Sequence, residues 1–477
     1  MLRFLTARLP APAALAILVL ASGAAPLGAQ RASPWLPPQH WTRAAIARLH
    51  AAGLTSLDPA SPHPAADVTA ALPAAQRALL SRELPAAVMA PDSPQHLTAG
   101  ASAGLLLVGH QDRLRPGGHS LDRQWLDPAR VPDLTAAGVR LRAWASPASW
   151  LAFTAEAAFR SDGVRLEHGT ADLVYGALGA WAGRRQLGFT PAGGGGLVLH
   201  QLPQFDGGGV RTAHSIRLPL AGPVSAEMFG GPLGRNGHVR RPLLLAARVH
   251  AQPHARLDFG ATRAAVFGTM DGSRLTVRDY LEVLIGANLA GSRADDQVAA
   301  LDARWRPPLA QPVELYGEWG LHDIDLGVLI DVPGFTAGVR LPYVPLLRGA
   351  GIAVEHTRIA GACCGNPPWY HHFELADGWT ASGRLLGHPL GGHGQQWRAS
   401  LIADARPTIA LLEAALMRRS REAENLFAPA REGRSWAVAV SASALLGTRA
   451  TADLDLFAEH GSGWNEQRVV LSLARRF

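Results

Sequence analysis

Lysine is missing from the 477 residues altogether, so all 45 basic side chains are arginine. A phosphate-binding loop of the Walker type and a Schiff-base mechanism both need a lysine, so the GGGG run at 193–196 is not the first and pyridoxal chemistry is excluded. Cysteine is almost missing too. Cys363 and Cys364 are adjacent and alone, the spacing of neither a CxxC redox pair nor a zinc set; they read as two small loop residues, with a strained vicinal disulfide as the alternative. GASAG at 100–104 matches GxSxG by letter but lies within a period-two segment and not at a strand-to-helix elbow, and no HExxH helix occurs. His214-Ser215 and His119-Ser120 are sequence neighbours rather than dyads, because a base must reach its nucleophile in space. Beyond residue 30 no uncharged apolar run approaches the roughly 20 residues of a spanning helix. Charged residues are only 17% against 48% hydrophobic, with a mean hydropathy of +0.05. These absences speak against a helical membrane protein and against an enzyme, with a membrane-embedded hydrolase as a remaining alternative, and no cofactor or metal is expected.

What is present begins with a leader. Arg3 and Arg8 precede an uncharged run from Leu9 to Gln30 that ends in small residues, which reads as a secretory signal over 1–29. An uncleaved anchor is the alternative, and Pro10 and Pro12 speak against it. The net charge of +7 and pI near 10.3 would suit nucleic acid in a cytoplasmic protein. For an exported chain the relevant anions are acidic sugars and lipid headgroups, whose carboxylates and phosphates the planar arginine fork binds bidentately. No nucleic-acid partner is expected.

Residues 30–95 have a helical period. Trp41, Ala45, Ile46, Leu49 and Ala52 fall on one face before Gly53, and after Pro59, Pro62 and Pro64 a second helix is expected from Asp67 to Leu84. This tryptophan-led helix, Gly-Leu turn, Asp-Pro loop and second helix resemble one degenerate S-layer-homology module of a periplasmic segment. The resemblance implies cell-wall polymer as a partner. Asp67, Val68, Thr69 and Ala70, however, stand where that family has Thr-Arg-Ala-Glu.

From residue 96 to 477 the period is two. In WLAFTAEAAFRS, Leu151, Phe153, Ala155, Ala157 and Phe159 share a face, and Thr154, Glu156, Ala158 and Arg160 share the other; in the last segment Val469, Leu471, Leu473, Arg475 and Phe477 oppose Arg468, Val470, Ser472, Ala474 and Arg476. Such segments of about ten residues, with aromatics near their ends at Trp144, Trp150, Trp181, Trp319 and Trp436, predict an all-β fold. The expected form is a large antiparallel transmembrane β-barrel of about 16 to 20 strands, 18 favoured, behind a small N-terminal helical domain.

Three blocks add specificity: GRRQLGFTPAGGGGLVLHQLPQF at 183–205, DDQVAALDARWRPPLAQPVELYGEWGLHD at 295–323 and HHFELADGWTASGRLLGHPLGG at 371–392. In order and spread over the barrel segment, they resemble the Wzi-type capsule assembly family of outer-membrane barrels. The resemblance implies a cell-surface barrel that binds polysaccharide and organises its attachment. It also fits a terminal Phe477, which is similar to the sorting signal read by the barrel-assembly machinery, and a wall facing outer-membrane lipid. The residues themselves suggest where an acidic glycan would be met. Arg184 and Arg185 lie beside a long turn, Glu318 lies on the expected lumen face with Glu314 and Tyr316, and Trp369 and Tyr370 precede His371 and His372 at the end of a Gly- and Pro-rich loop. The arginines could equally neutralise lumen carboxylates, and the aromatics could anchor an interface. A diffusion channel for anionic solutes is the alternative function.

Overall fold

The computed structural model describes residues 32–36, 40–73, 76–77, 80, 98–113, 136–160, 163–234, 236, 239–286, 289, 291–322, 334–345, 347, 349–359, 369–372, 375, 378–381, 384–404, 409–422, 431–447 and 449–477. The expected leader, the cysteine pair, His119-Ser120 and the end of the expected second helix lie outside these residues.

The alternating segments form strands β1 (Thr98–Arg113), β2 (Ala136–Ala148), β3 (Leu151–Arg160), β4 (Gly163–Tyr175), β5 (Leu178–Phe189), β6 (Leu199–Thr212) and β7 (Ile216–Leu218). They continue as β8 (Gly222–Pro232), β9 (Arg240–His254), β10 (Leu257–Thr269), β11 (Arg293–Trp305), β12 (Glu314–His322), β13 (Gly334–Leu341) and β14 (Ala350–Ile359). After a small ribbon of β15 (Thr380–Ala381) and β16 (Arg384–Leu385) come β17 (Gly394–Asp404), β18 (Ile409–Arg421), β19 (Gly433–Leu446), β20 (Ala450–Gly461) and β21 (Trp464–Arg476). Each strand of the wall pairs antiparallel with its neighbours, and β1 pairs with both β2 and β21, so the sheet closes on itself. Because β6 and β7 both lie on β8 as two halves of one broken stave, the wall has 18 staves.

Side-chain parity sets the two faces. On β21 Val469 and Leu473 point outward while Arg468, Val470 and Ser472 are buried inside; on β12 Leu315 and Trp319 point outward while Glu314, Tyr316, Glu318 and Gly320 are inside. The outer face is apolar and the inner face is charged, the inverse of a water-soluble barrel. Exposed aromatics mark both rims: Trp150, Tyr175, Trp305 and Phe477 at one, Trp319, Trp397 and Trp436 at the other. Trp144 and Trp181, expected with them, instead point inward. Each ring lies over a glycine on the adjacent strand: a Cβ at Gly100 would stand 2.6 Å from the Trp144 ring, and one at Gly209 would stand 2.6 Å from Trp181 Nε1.

The first rim carries both ends of the wall, where the Phe477 amide donates to the Ala101 carbonyl at 3.0 Å, and tight turns such as those after β2, β4 and β9. The second rim carries the long connections after β5, β10 and β14. One of these holds a helix (Val277–Ile285) with a reciprocal Thr276–Asp279 capping box.

Among the described residues before β1 are the helices α1 (Thr42–Ala51) and α2 (Ala65–Ala71), and Gln76, Arg77 and Leu80 are helical again. The expected helix from Asp67 is interrupted after α2, because Pro73 forces Leu72 into an extended conformation with ψ of 143°, and it resumes at Gln76, Arg77 and Leu80. On α1 the predicted stripe holds up to Leu49, while Ala52 caps the helix and is half-buried. Trp41, Ala45, Ile46 and Leu49 are buried, and they pack against Trp144, Ile402, Leu411 and Leu445 on the inner face of the wall. Full burial of a side chain the size of Ile46 or Leu49 stabilises by about 1.5–3 kcal/mol.

Candidate functional site

The lumen is filled from both rims. From the long-connection rim, residues 190–198 and the described residues between 369 and 390 fold inward and bury Leu197, Trp369, Tyr370, Trp379 and Leu386 against Phe229, Val266 and Val298 of the wall. Buried polar bonds fix them. Tyr370 Oη donates to the Leu197 carbonyl at 2.6 Å and accepts from the His388 amide at 3.0 Å. Trp379 Nε1 donates to the Val198 carbonyl at 2.9 Å. The wall supplies the acceptors for the other backbone groups: Glu318 accepts from the Leu197 amide at 3.1 Å, and Glu355 accepts from the Gly193 and Gly194 amides at 2.9 and 2.8 Å. This explains the glycine run, since a Cβ on Gly194 would sit 2.2 Å from the Glu355 carboxylate. Burial, followed by the neighbouring His200 and Arg419, holds the His388 imidazole well below its usual range, and its Nδ1 accepts from the Leu390 amide at 3.1 Å.

From the tight-turn rim enters the segment that carries α1 and α2. Trp35 Nε1 donates to Asp172 at 2.5 Å, and the Arg185 guanidinium is sandwiched 3.9 Å from the Trp35 ring and 3.7 Å from the Trp181 ring, with Glu227 at 2.7 Å. Deeper in, Asp58 accepts from Arg248 at 2.7 Å, and Arg248 also reaches Asp302 at 2.6 Å, all three buried. The two plugs meet at Thr190, whose amide donates to the Ala60 carbonyl at 3.0 Å and whose carbonyl accepts from Arg43 at 2.8 Å. Burial draws the Arg43 guanidinium down to about 10, still charged at neutral pH.

Beside α1 remains a cavity of about 310 Å³, bounded by the inner faces of β1 to β3 and β17 to β21. Eight arginines but only four carboxylates line it, together with the hydroxyls of Ser441, Ser443 and Ser472. Arg140 is shared between Glu156 at 3.0 Å and Glu167 at 2.9 Å, and Arg398 bonds Glu413 at 2.6 Å. The excess of guanidinium over carboxylate equips the cavity to take carboxylates or other acidic oxygens, with hydroxyls spaced for a polyol.

None of the sequence-selected residues lines this cavity. Glu318, Trp369 and Tyr370 come together in the loop plug, Arg185 clamps Trp35, and Arg184 faces outward, bonded to Asp206 at 2.6 and 2.5 Å. The arginines that do line it had a signal: in AGVRLRAW the alternation puts Arg140 and Arg142 on one face. A charged pair on one face of an otherwise apolar strand belongs to the inside of a barrel.

A family model described as "Capsule assembly protein Wzi" matches residues 89–459. Among solved structures, the chain is similar to Wzi of Escherichia coli, an outer-membrane protein involved in group 1 capsule assembly and described as a carbohydrate-binding β-barrel. The identity is 14%, with 93% of this chain and 99% of that one covered and a TM-score of 0.70. OccK3 (OpdO) of Pseudomonas aeruginosa follows at 12% identity, 80% and 95% coverage and a TM-score of 0.47. OpdQ of the same organism stands at 10%, 80% and 98%, and 0.46. No curated protein matches the sequence.

Proposed function

Since the chain belongs to the Wzi capsule assembly family, we propose that it is a non-enzymatic outer-membrane barrel that binds an acidic surface polysaccharide and helps hold it at the cell surface. The observation that carries binding over conduction is the junction at Thr190, where a segment from each rim meets in mid-lumen. A channel for anionic solutes would need both plugs to leave, breaking buried ion pairs such as Asp58–Arg248.

In this reading the leader at 1–29 directs export, the tight-turn rim faces the periplasm and the long connections face outward. The helical segment enters from the periplasmic side, where cell-wall polymer is within its reach. The barrel-assembly machinery receives the strand ending in Phe477, and lipid surrounds the apolar band. The arginine-lined cavity takes an acidic sugar unit. Its volume of about 310 Å³ is at the small end of ligand pockets, which run to about 1,000 Å³, and is too small for a polymer in transit.

The test is binding of the detergent-solubilised barrel to the host's own acidic polysaccharide at low and high salt, paired with planar-bilayer recording. Saturable, salt-weakened binding that falls in Arg142→Ala and Arg398→Ala, without steady conductance, is the expected result. Conductance in the intact protein with no glycan bound at either salt gives the function to the channel instead.

A further inference from the structure

Three side chains from distant parts of the sequence converge where α1 meets the wall: His50 on α1, His250 on β9 and Asp258 on β10. All three are buried, and one donor atom from each lies within 4.8 Å of the others. His50 Nε2 is 3.3 Å from Asp258 Oδ1, and His250 Nε2 is 3.4 Å from the same oxygen. These separations are long for charge-assisted hydrogen bonds, which settle near 2.7–2.9 Å. They match the edge of a tetrahedron, because an ion about 2.0–2.1 Å from each donor holds the donors roughly 3.3–3.4 Å apart.

Two further observations point to a ligand. His250 Nε2 has no hydrogen-bond partner although the residue is only 4% exposed. Its 3.4 Å approach to Asp258 Oδ1 offsets the lost solvation only weakly, and a bound ion would offset it fully. His50 Nδ1 lies 3.0 Å from Glu314 Oε2. With the proton on Nδ1 directed at Glu314, the Nε2 lone pair points toward Asp258. This carboxylate–imidazole arrangement is how metal-binding histidines are oriented and made more basic. Arg306 occupies Asp258 Oδ2 at 2.7 Å and Gln252 Nε2 donates to Oδ1 at 3.0 Å, so Oδ1 is the single-oxygen ligand and its second lone pair is held by Gln252.

We propose that His50, His250 and Asp258 bind one divalent transition-metal ion of the zinc class, which staples α1 to the barrel wall. Water completes the tetrahedron. The nearby guanidiniums of Arg306 and Arg340 already balance Asp258 and Glu314, so they weaken the site relative to one with free carboxylates and favour a neutral-imidazole binder over a hard cation.

The experiment uses tag-free, chelator-treated full-length protein titrated with cobalt(II) and competed with zinc. The expected result is an intense visible band of tetrahedral cobalt that saturates at a single equivalent, is displaced by zinc, and disappears in both His250→Gln and Asp258→Asn. The zinc-loaded wild type should also resist proteolysis of the α1 segment longer than the metal-free protein. Absence of the band in folded wild type overturns the proposal, and so does an undiminished band in His250→Gln. If His250→Gln fails to fold, Asp258→Asn and the wild-type titration decide alone. Glycan binding by the metal-free protein is read separately, so failure of the site and failure of the polysaccharide reading are distinguishable.

Discussion

Arg43 donates to the Thr190 carbonyl at 2.8 Å, and through that bond the helix that enters from one rim touches the loop that enters from the other. The closed state of the lumen is therefore a property of a few buried contacts, each of which can be cut separately.

Tyr370→Phe removes one hydroxyl and leaves the Leu197 carbonyl and the His388 amide without their bonds. Unsatisfied buried groups of this kind cost about 1–3 kcal/mol each. The expected outcome is a lower melting temperature and brief conductance openings in planar bilayers, with the wall still intact by circular dichroism.

Arg248→Ala strips the partner from Asp58 and Asp302 at once. Removing one member of a buried ion pair costs roughly 3–5 kcal/mol. Asp58→Asn is milder, because Arg248 keeps Asp302. Limited proteolysis of the segment before β1 should rank them wild type, Asp58→Asn, Arg248→Ala in order of increasing cleavage rate.

Acid should release the helical plug only late. Burial alone would raise the Asp58 carboxyl, but the Arg248 guanidinium, with His250 and Arg304, outweighs it and holds the group well below the usual carboxylate range. A carboxylate depressed in the folded state stabilises above its unfolded pKa, and that contribution is lost as pH falls through the folded one. Protection of the segment from acid-active protease should hold from pH 7 to about 4 and fail only below it. Loss of protection near pH 6 would implicate histidines instead.

Val438 points outward near the middle of β19 and is 46% exposed. Val438→Arg would put a charge in the apolar band, at a cost of about 2–4 kcal/mol near the bilayer midplane. Refolding into vesicles should fall sharply, while refolding in detergent changes little.

The alternation of Glu314, Tyr316, Glu318 and Gly320, and of the last strand, was legible because a period of two is local and the two faces meet different surroundings. The direction of Trp144 and Trp181 was not, since residence in a rim depends on parity against neighbours that only the register defines. The fate of Glu318, Trp369 and Tyr370 was hidden for another reason. A loop's composition does not say whether it stands in water or turns back into a lumen, and the bond from Tyr370 joins residues 173 positions apart. Likewise His50, His250 and Asp258 lie far apart in the chain, and no spacing announces that they converge.

The seam between β1 and β21 pairs Ser102 with Arg476, so the ring cannot shut until nearly the whole chain has been delivered. Contacts this distant in sequence form slowly, because most of the chain's freedom is lost before they stabilise anything. The segment with α1 precedes β1 yet is gripped by β9, β10 and β12 through Arg248, His50 and Glu314. Its berth is thus built after it has been synthesised, and before the last strand seals the wall. The plug is a passenger aboard before the door closes, and a chain made without it would complete its ring around a bore filled from the long-connection rim alone.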